Sequence, residues 1–176
     1  MHLLAVSASA RTEGSVSREL LRTFVGEWQR QHPGGQVMHR DLSMHPLPPL
    51  NDRMLKAYAL SPGRRTLEDL HALETSDEVI SEVMAADTIV LASPLYNFSV
   101  SALLKGWIEH LCRVDATFRF ATSGPVGLVP EGKEVVVIST RDGVYVGEEA
   151  SGFDFHESYL RAVLGFIGLK QLTFVQ

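Results

Sequence analysis

The sequence predicts an α/β protein, a three-layer α/β/α sandwich built on a five-stranded parallel sheet. Two observations carry that prediction. Short apolar or β-branched runs alternate with longer segments of helical periodicity along the whole chain, which implies parallel strands joined by right-handed crossovers. One run, Thr88 to Ala92, is apolar without interruption, as in a strand covered on both faces.

The elements follow in order. Leu3 to Ser7 is the first strand. Ser15 to Gln31 is a helix, with Leu20, Leu21, Phe24, Val25 and Trp28 at helical spacing, stopped by His32-Pro33-Gly34-Gly35. Gln36 to Leu42 is a weak second strand, and the Pro-rich segment after it holds a short helix around Leu55. Glu68 to Ala86 is a long helix with Leu70, Leu73, Val79, Ile80 and Val83 on its apolar face. The strand Thr88 to Ala92 is followed by a helix over Ser101 to Val114, with the stripe Leu103, Leu104, Trp107, Ile108 and Leu111. Thr117 to Val129 reads as a loop. Glu134 to Ser139 is strand four, Phe155 to Gly168 the last helix, and Gln171 to Val175 strand five. Five such strands suit the order 2-1-3-4-5, by analogy with flavodoxin-like sheets.

Composition narrows the function. With 176 residues and 45% hydrophobic content, the chain suits one globular domain spanning residues 1–176. A net charge of −5 without a basic run argues against nucleic acid as a partner. No apolar run approaches the roughly 20 residues needed to span a bilayer, and the N-terminus carries no positive leader, so a membrane is not expected as a partner. The single Cys112 excludes an intrachain disulfide and fits a reducing, cytoplasmic setting. The seven histidines are scattered, without metal-ligand spacing.

In a parallel sheet, three loops converge at the carboxyl edge, where ligands of open α/β sheets sit. Loop one runs from Ser7 to Ser17. Free N–H groups at the helix start hold a phosphate dianion, with Ser9, Ser15 and Ser17 as further donors; alternatively, Ser15 merely caps the helix. The loop lacks both G-x-x-x-x-G-K-[ST] and G-x-G-x-x-G, which disfavours a nucleoside triphosphatase and a Rossmann dehydrogenase. Loop two, Ser93-Pro94-Leu95-Tyr96-Asn97-Phe98, places Asn97 and backbone amides against the polar edge of a heterocycle. Tyr96 and Phe98 flank a flat ring or plug the strand end. Loop three, Ser139-Thr140-Arg141-Asp142-Gly143, adds hydroxyls and a flexible glycine, or is an ordinary turn. No G-x-S-x-G elbow supports a hydrolase.

Pro94 to Phe98 followed by Ser101-Ala102-Leu103-Leu104-Lys105 resembles the flavin loop of the FMN-dependent NADH:azoreductase family. Thr117-Phe118-Arg119-Phe120, Gly124-Pro125-Val126-Gly127-Leu128, Leu164-Gly165-Phe166-Ile167-Gly168 and Asp41-Leu42 match in the same order, so the resemblance covers essentially the whole chain. It implies a flavodoxin-like fold, a homodimer and non-covalent FMN. Ser9, Ser15, Val16 and Ser17 match the phosphate contacts. Leu95, Tyr96, Asn97 and Phe98 match the ring-holding loop, and Thr140, Arg141, Asp142 and Gly143 the third flavin loop. Phe118 and Phe120 match a segment shaping the substrate pocket at the dimer interface, a pocket to which Tyr96 also belongs. The implied activity is ping-pong hydride transfer from NADH or NADPH through FMN to quinones and azo compounds, with no protein nucleophile and no catalytic side chain beyond the flavin. The alternatives are a flavodoxin-like electron carrier and a regulatory relic with weak FMN binding.

Three departures from the family stand out. Asp142 occupies a position often held by glycine; it either sets negative charge beside the flavin's pyrimidine edge or points into solvent. Tyr145 replaces a common histidine and is assigned to the substrate pocket. The sequence stops at Gln176, where relatives usually continue into one more helix; either it is incomplete or the protein is a shortened variant whose sandwich lacks its final helix.

Overall fold

The computed structural model describes residues 1–143 and 152–176. Its strands are β1 (His2–Ser7), β2 (Gln36–Asp41), β3 (Thr88–Pro94), β4 (Phe118–Ala121), β5 (Gly124–Gly127), β6 (Glu134–Thr140) and β7 (Gln171–Val175). Its helices are α1 (Val16–Gln31), α2 (Asp52–Ala59), α3 (Leu67–Ala85), α4 (Ala102–Leu111) and α5 (His156–Ile167). The main sheet runs β2-β1-β3-β6-β7, and every neighbouring pair is parallel. With the β4–β5 hairpin set aside, that is the expected 2-1-3-4-5 order. β7 is the last element, and no helix follows it within the sequence.

Alternating side chains of the central strands divide the core. Leu4, Val6, Ile89, Leu91, Val135 and Val137 face α3, α4 and α5. Leu3, Ala5, Val90, Ala92 and Ile138 face α1 through Leu21, Val25 and Trp28. β3 is buried at all seven positions, which is why its run carries no polar alternation. α4 sinks Leu104, Trp107, Ile108 and Leu111 completely, and each such side chain contributes about 1.5–3 kcal/mol. Helix starts are sharply set. Thr66 and Asp69 form a reciprocal capping box at α3, and the Ser101 hydroxyl accepts from Leu104 N at α4.

One segment departs from the sequence reading. Thr117 to Val129 is no simple loop, because it contains the antiparallel pair β4–β5, with Phe118 opposite Gly127 and Phe120 opposite Pro125. Glycine and proline speak against a strand locally. Docking supplies what propensity lacks. Leu128 N donates to Thr117 O, and Val129 N donates to Ile167 O at the end of α5.

Candidate functional site

The three loops converge at the carboxyl edge of the sheet and are tied to one another. Ala8 N donates to Ala92 O, Leu95 N donates to Thr140 O at 2.8 Å, and the Ser101 hydroxyl donates to Ala8 O. Loop one also meets loop two directly, where the Ser9 hydroxyl lies 3.4 Å from the Tyr96 hydroxyl.

At the start of α1, Ser15 is the N-cap residue, yet its side chain makes no capping bond. Its hydroxyl donates instead to Ser9 Oγ at 2.9 Å and lies 3.1 Å from Ser17 Oγ. All three serines are buried. The first N–H groups of the helix, at Val16 and Ser17, therefore keep no partner within the helix. A buried cluster of hydroxyls beside free amides at the positive end of a helix dipole is the donor set of a phosphate dianion. The residues present thus fit the phosphate of FMN.

Loop two is a strained turn. Tyr96 and Ser99 exchange both backbone hydrogen bonds, so Asn97 and Phe98 form a two-residue hairpin. Both are left-handed, with φ of 46° and 71°. Asn adopts that conformation readily, whereas Phe at such an angle costs roughly 1 kcal/mol or more. Phe155 N donates to Phe98 O, and the half-exposed Phe98 ring packs on Phe153 at 5.4 Å between centroids.

Loop three leaves β6 at Thr140. Arg141 Nη1 pairs with Asp154 Oδ2 at 2.6 Å, and Nη2 donates to Ser139 Oγ at 3.3 Å. Asp142 and Gly143 are exposed. Tyr145 lies outside the described residues. Phe118 packs on Phe166 at 4.5 Å and meets Phe120 edge-on, while Phe120 is 73% exposed. Phe166 stands in the last turn of α5, roughly 15 Å along the helix from His156 at its other end. Among the described residues, neither Phe118 nor Phe120 makes a ring contact with Tyr96 or Phe98 of the same chain.

Two polar residues matter here that the sequence patterns did not single out. Arg18 stitches loop one to the end of β2. Its guanidinium donates to Arg11 O, Ser9 O and Ser43 Oγ and grips the Asp41 carboxylate with both terminal nitrogens. His156, fully buried, lies 2.7 Å from Ser93 Oγ through Nε2. Neither contact has a local signal, because the partners come from distant segments. The Arg18 guanidinium, followed by amides of Ser43 and Met44, holds the Asp41 carboxyl far below its ordinary value of 3.8. A depressed carboxylate stabilises the fold above that ordinary value, and the contribution drains away as pH falls through the folded pKa. Urea unfolding at pH 5 and at pH 2.5 should show a drop that is smaller in Asp41→Asn. An equal drop in both proteins rules out this origin.

A cleft of about 510 Å³ opens beside loop one, lined by Ser7, Gly14, Ser15, Arg18 and Asp41 among others. A second, of about 750 Å³ between α2 and α3, touches none of the candidate residues. Among the described residues, no group of His, Cys, Asp or Glu is arranged to hold a metal, and no helix is long and apolar enough to cross a membrane.

Residues 1–176 match the protein family described as the flavodoxin-like fold. An FMN-dependent NADH:quinone oxidoreductase 2 from Pseudomonas fluorescens (strain Pf0-1) is 39% identical over 173 residues, which cover 98% of this chain and 85% of the relative. An FMN-dependent NADH:quinone oxidoreductase 1 from Trichormus variabilis is 41% identical, over 99% of this chain and 83% of its own. The crystal structure of an azoreductase from Bacillus anthracis superposes with a TM-score of 0.90 at 28% identity, covering 99% of this chain and 85% of that one.

Proposed function

The chain belongs to the flavodoxin-like family that contains the FMN-dependent NADH:quinone oxidoreductases, and from that premise we propose that it is itself an FMN-dependent NADH oxidoreductase acting on quinones and azo compounds. The observation that carries the reading is the start of α1. Its N-cap hydroxyl makes no capping bond and instead joins a buried serine cluster that touches the loop-two tyrosine.

In this reading Ser9, Ser15 and Ser17, with the amides of Val16 and Ser17, hold the phosphate of FMN. Leu95, Tyr96, Asn97 and Phe98 hold one side of the ring system, and Thr140, Arg141, Asp142 and Gly143 the other. When bound, FMN supplies two-electron chemistry, taking hydride from NADH or NADPH and delivering reducing equivalents to the acceptor. The protein orients and encloses. The left-handed turn at Asn97 and Phe98 directs backbone polar groups at one edge of the site, and Tyr96 and Phe98 supply flat apolar walls that exclude water. NADH is the preferred donor of the two, after the names of the relatives.

We place Tyr145, Phe118 and Phe120 in the acceptor pocket of a homodimer. The hairpin carrying the two phenylalanines is anchored at the far end of α5 from its own loop two, and Phe120 is bare; both facts favour service to a partner's site. Residues 1–176 form one domain in this proposal, and the protein works in the cytoplasm without nucleic-acid or membrane partners.

The test is spectroscopic. Protein mixed with FMN and freed of excess should retain the visible flavin band, and NADH added under argon should bleach it. Turnover with menadione and an azo dye then follows from the same sample. A retained flavin that NADH does not bleach makes the protein an electron carrier, and a protein that retains no flavin is a relic; either result overturns the reading.

A further inference from the structure

We propose that His156 is a positioning residue which sets the spacing between loops two and three from beneath the carboxyl edge. The inference rests on the reading of that edge as the FMN site. The ring sits fully buried at the start of α5, between the ends of β3 and β6. On one side, Nε2 lies 2.7 Å from the hydroxyl of Ser93, two residues before Leu95. On the other, Nδ1 lies 3.5 Å from the hydroxyl of Ser139, which precedes Thr140. Both serines are buried, at 0% and 3% exposure. Buried polar groups are tolerated only when paired, so the three side chains hold one another in place.

The donor inventory gives the cluster a direction. Arg141 only donates, so the Ser139 oxygen accepts from Arg141 Nη2. The Ser139 proton is then free to point at Nδ1, and we assign that ring nitrogen as the acceptor. His156 is left with its proton on Nε2, donating to Ser93 Oγ. Asp154 closes the circuit, since Oδ1 accepts from His156 N and Oδ2 from Arg141 Nη1. The direction requires a neutral imidazole. Burial favours that form first of all and Arg141 supports it; Asp154, a hydrogen bond to the Ser93 backbone and Glu157 oppose it. Residues that the proposed site uses at loop three and the strand end feeding loop two are thereby referred to one ring. The ring is covered and touches neither substrate nor cofactor.

His156→Phe keeps the ring and removes both hydrogen bonds. His156→Gln offers an amide NH2 to donate and a carbonyl to accept, the same two functions as the neutral imidazole. Three readouts separate the possibilities: FMN dissociation constant by fluorescence quenching, midpoint potential of bound FMN, and amide hydrogen exchange in the FMN-free protein. In His156→Phe, exchange should speed up in Leu95–Phe98 and Thr140–Gly143 together. FMN should bind about tenfold more weakly, the upper end of the net worth of one neutral hydrogen bond, and its potential should shift. His156→Gln should restore exchange and affinity to within a fewfold of wild type. If His156→Phe does not fold, Ser93→Ala cuts the shorter contact and is read in the same way. Wild-type affinity and potential in a folded His156→Phe overturn the proposal. So does loosening spread evenly over the chain, which is mere loss of stability. A wild type that takes up no FMN overturns the functional reading instead, and the exchange arm still decides the linkage.

Discussion

Gly127→Ala should be among the most damaging single substitutions in this protein. A Cβ at that position would stand 2.3 Å from Gly168 N and 2.4 Å from Ile167 C. Both are backbone atoms and neither can rotate away. The hairpin must lift off α5 or α5 must shift, and Val129 N then loses Ile167 O. The cost should reach about 3 kcal/mol, the top of the usual overpacking range, and lower the melting temperature by roughly 6–12 °C. In the proposed site the change acts on the acceptor side, where the hairpin would bring Phe118 and Phe120. KM for a quinone should rise while FMN remains bound. A thermal melt and a quinone titration check both halves. A melting temperature within 2 °C or so of wild type would show that the hairpin is held elsewhere.

Arg18→Ala should be the most damaging change at loop one. The guanidinium is mostly covered and holds two loop carbonyls, a hydroxyl and the Asp41 carboxylate. Removing it leaves a three-quarters-covered carboxylate without its cation. Breaking a fully buried pair costs about 3–5 kcal/mol; partial exposure brings the expectation here to about 2–3 kcal/mol. Ser9 and Arg11 also lose their fixed position, so the serine cluster opens and FMN should bind at least about tenfold more weakly. Chemical unfolding and a flavin titration on one preparation measure the two effects. Asp41→Asn, which retains the shape and loses the charge, should fall between wild type and Arg18→Ala. Undiminished FMN affinity in Arg18→Ala would mean that loop one needs no external brace.

How far the sequence foretold this differs from element to element. The strands and helices of the main sheet announce themselves because each buries a face of fixed period, as β3 does on both sides and α4 does along its Leu104, Trp107, Ile108 and Leu111 stripe. The carboxyl-edge loops were legible for the same reason, since parallel strands bring their ends together whatever the loops contain. The β4–β5 hairpin was not legible. Its strands have four residues each and include Pro125, and their pairing is enforced by a close approach to Gly168 that no local pattern records. Arg18 and His156 were hidden differently. Arg18 looks like any helix-surface cation until Asp41 arrives beside it, and His156 looks like one of seven scattered histidines until Ser93 is beneath it. Even Ser15 had two sound readings. Only the direction of its hydroxyl, toward Ser9 instead of back along the helix, separates them.

The pairing of β1 has a consequence for how the chain comes into being. Leu3 is flanked by Val37 on one side and by Thr88 on the other, so β1 gains its second neighbour only after a further stretch of about fifty residues beyond β2 has been made. At roughly 5–20 residues per second, the fifty or so residues between those partners occupy several seconds of synthesis. Throughout that time one edge of an almost wholly apolar strand lacks its neighbour. Long-range parallel pairing of this kind is slow even in the finished chain, because loop closure must precede any gain from contact. A nascent chain that stops short of β3 therefore presents an unpaired edge of β1, open to pairing with other chains.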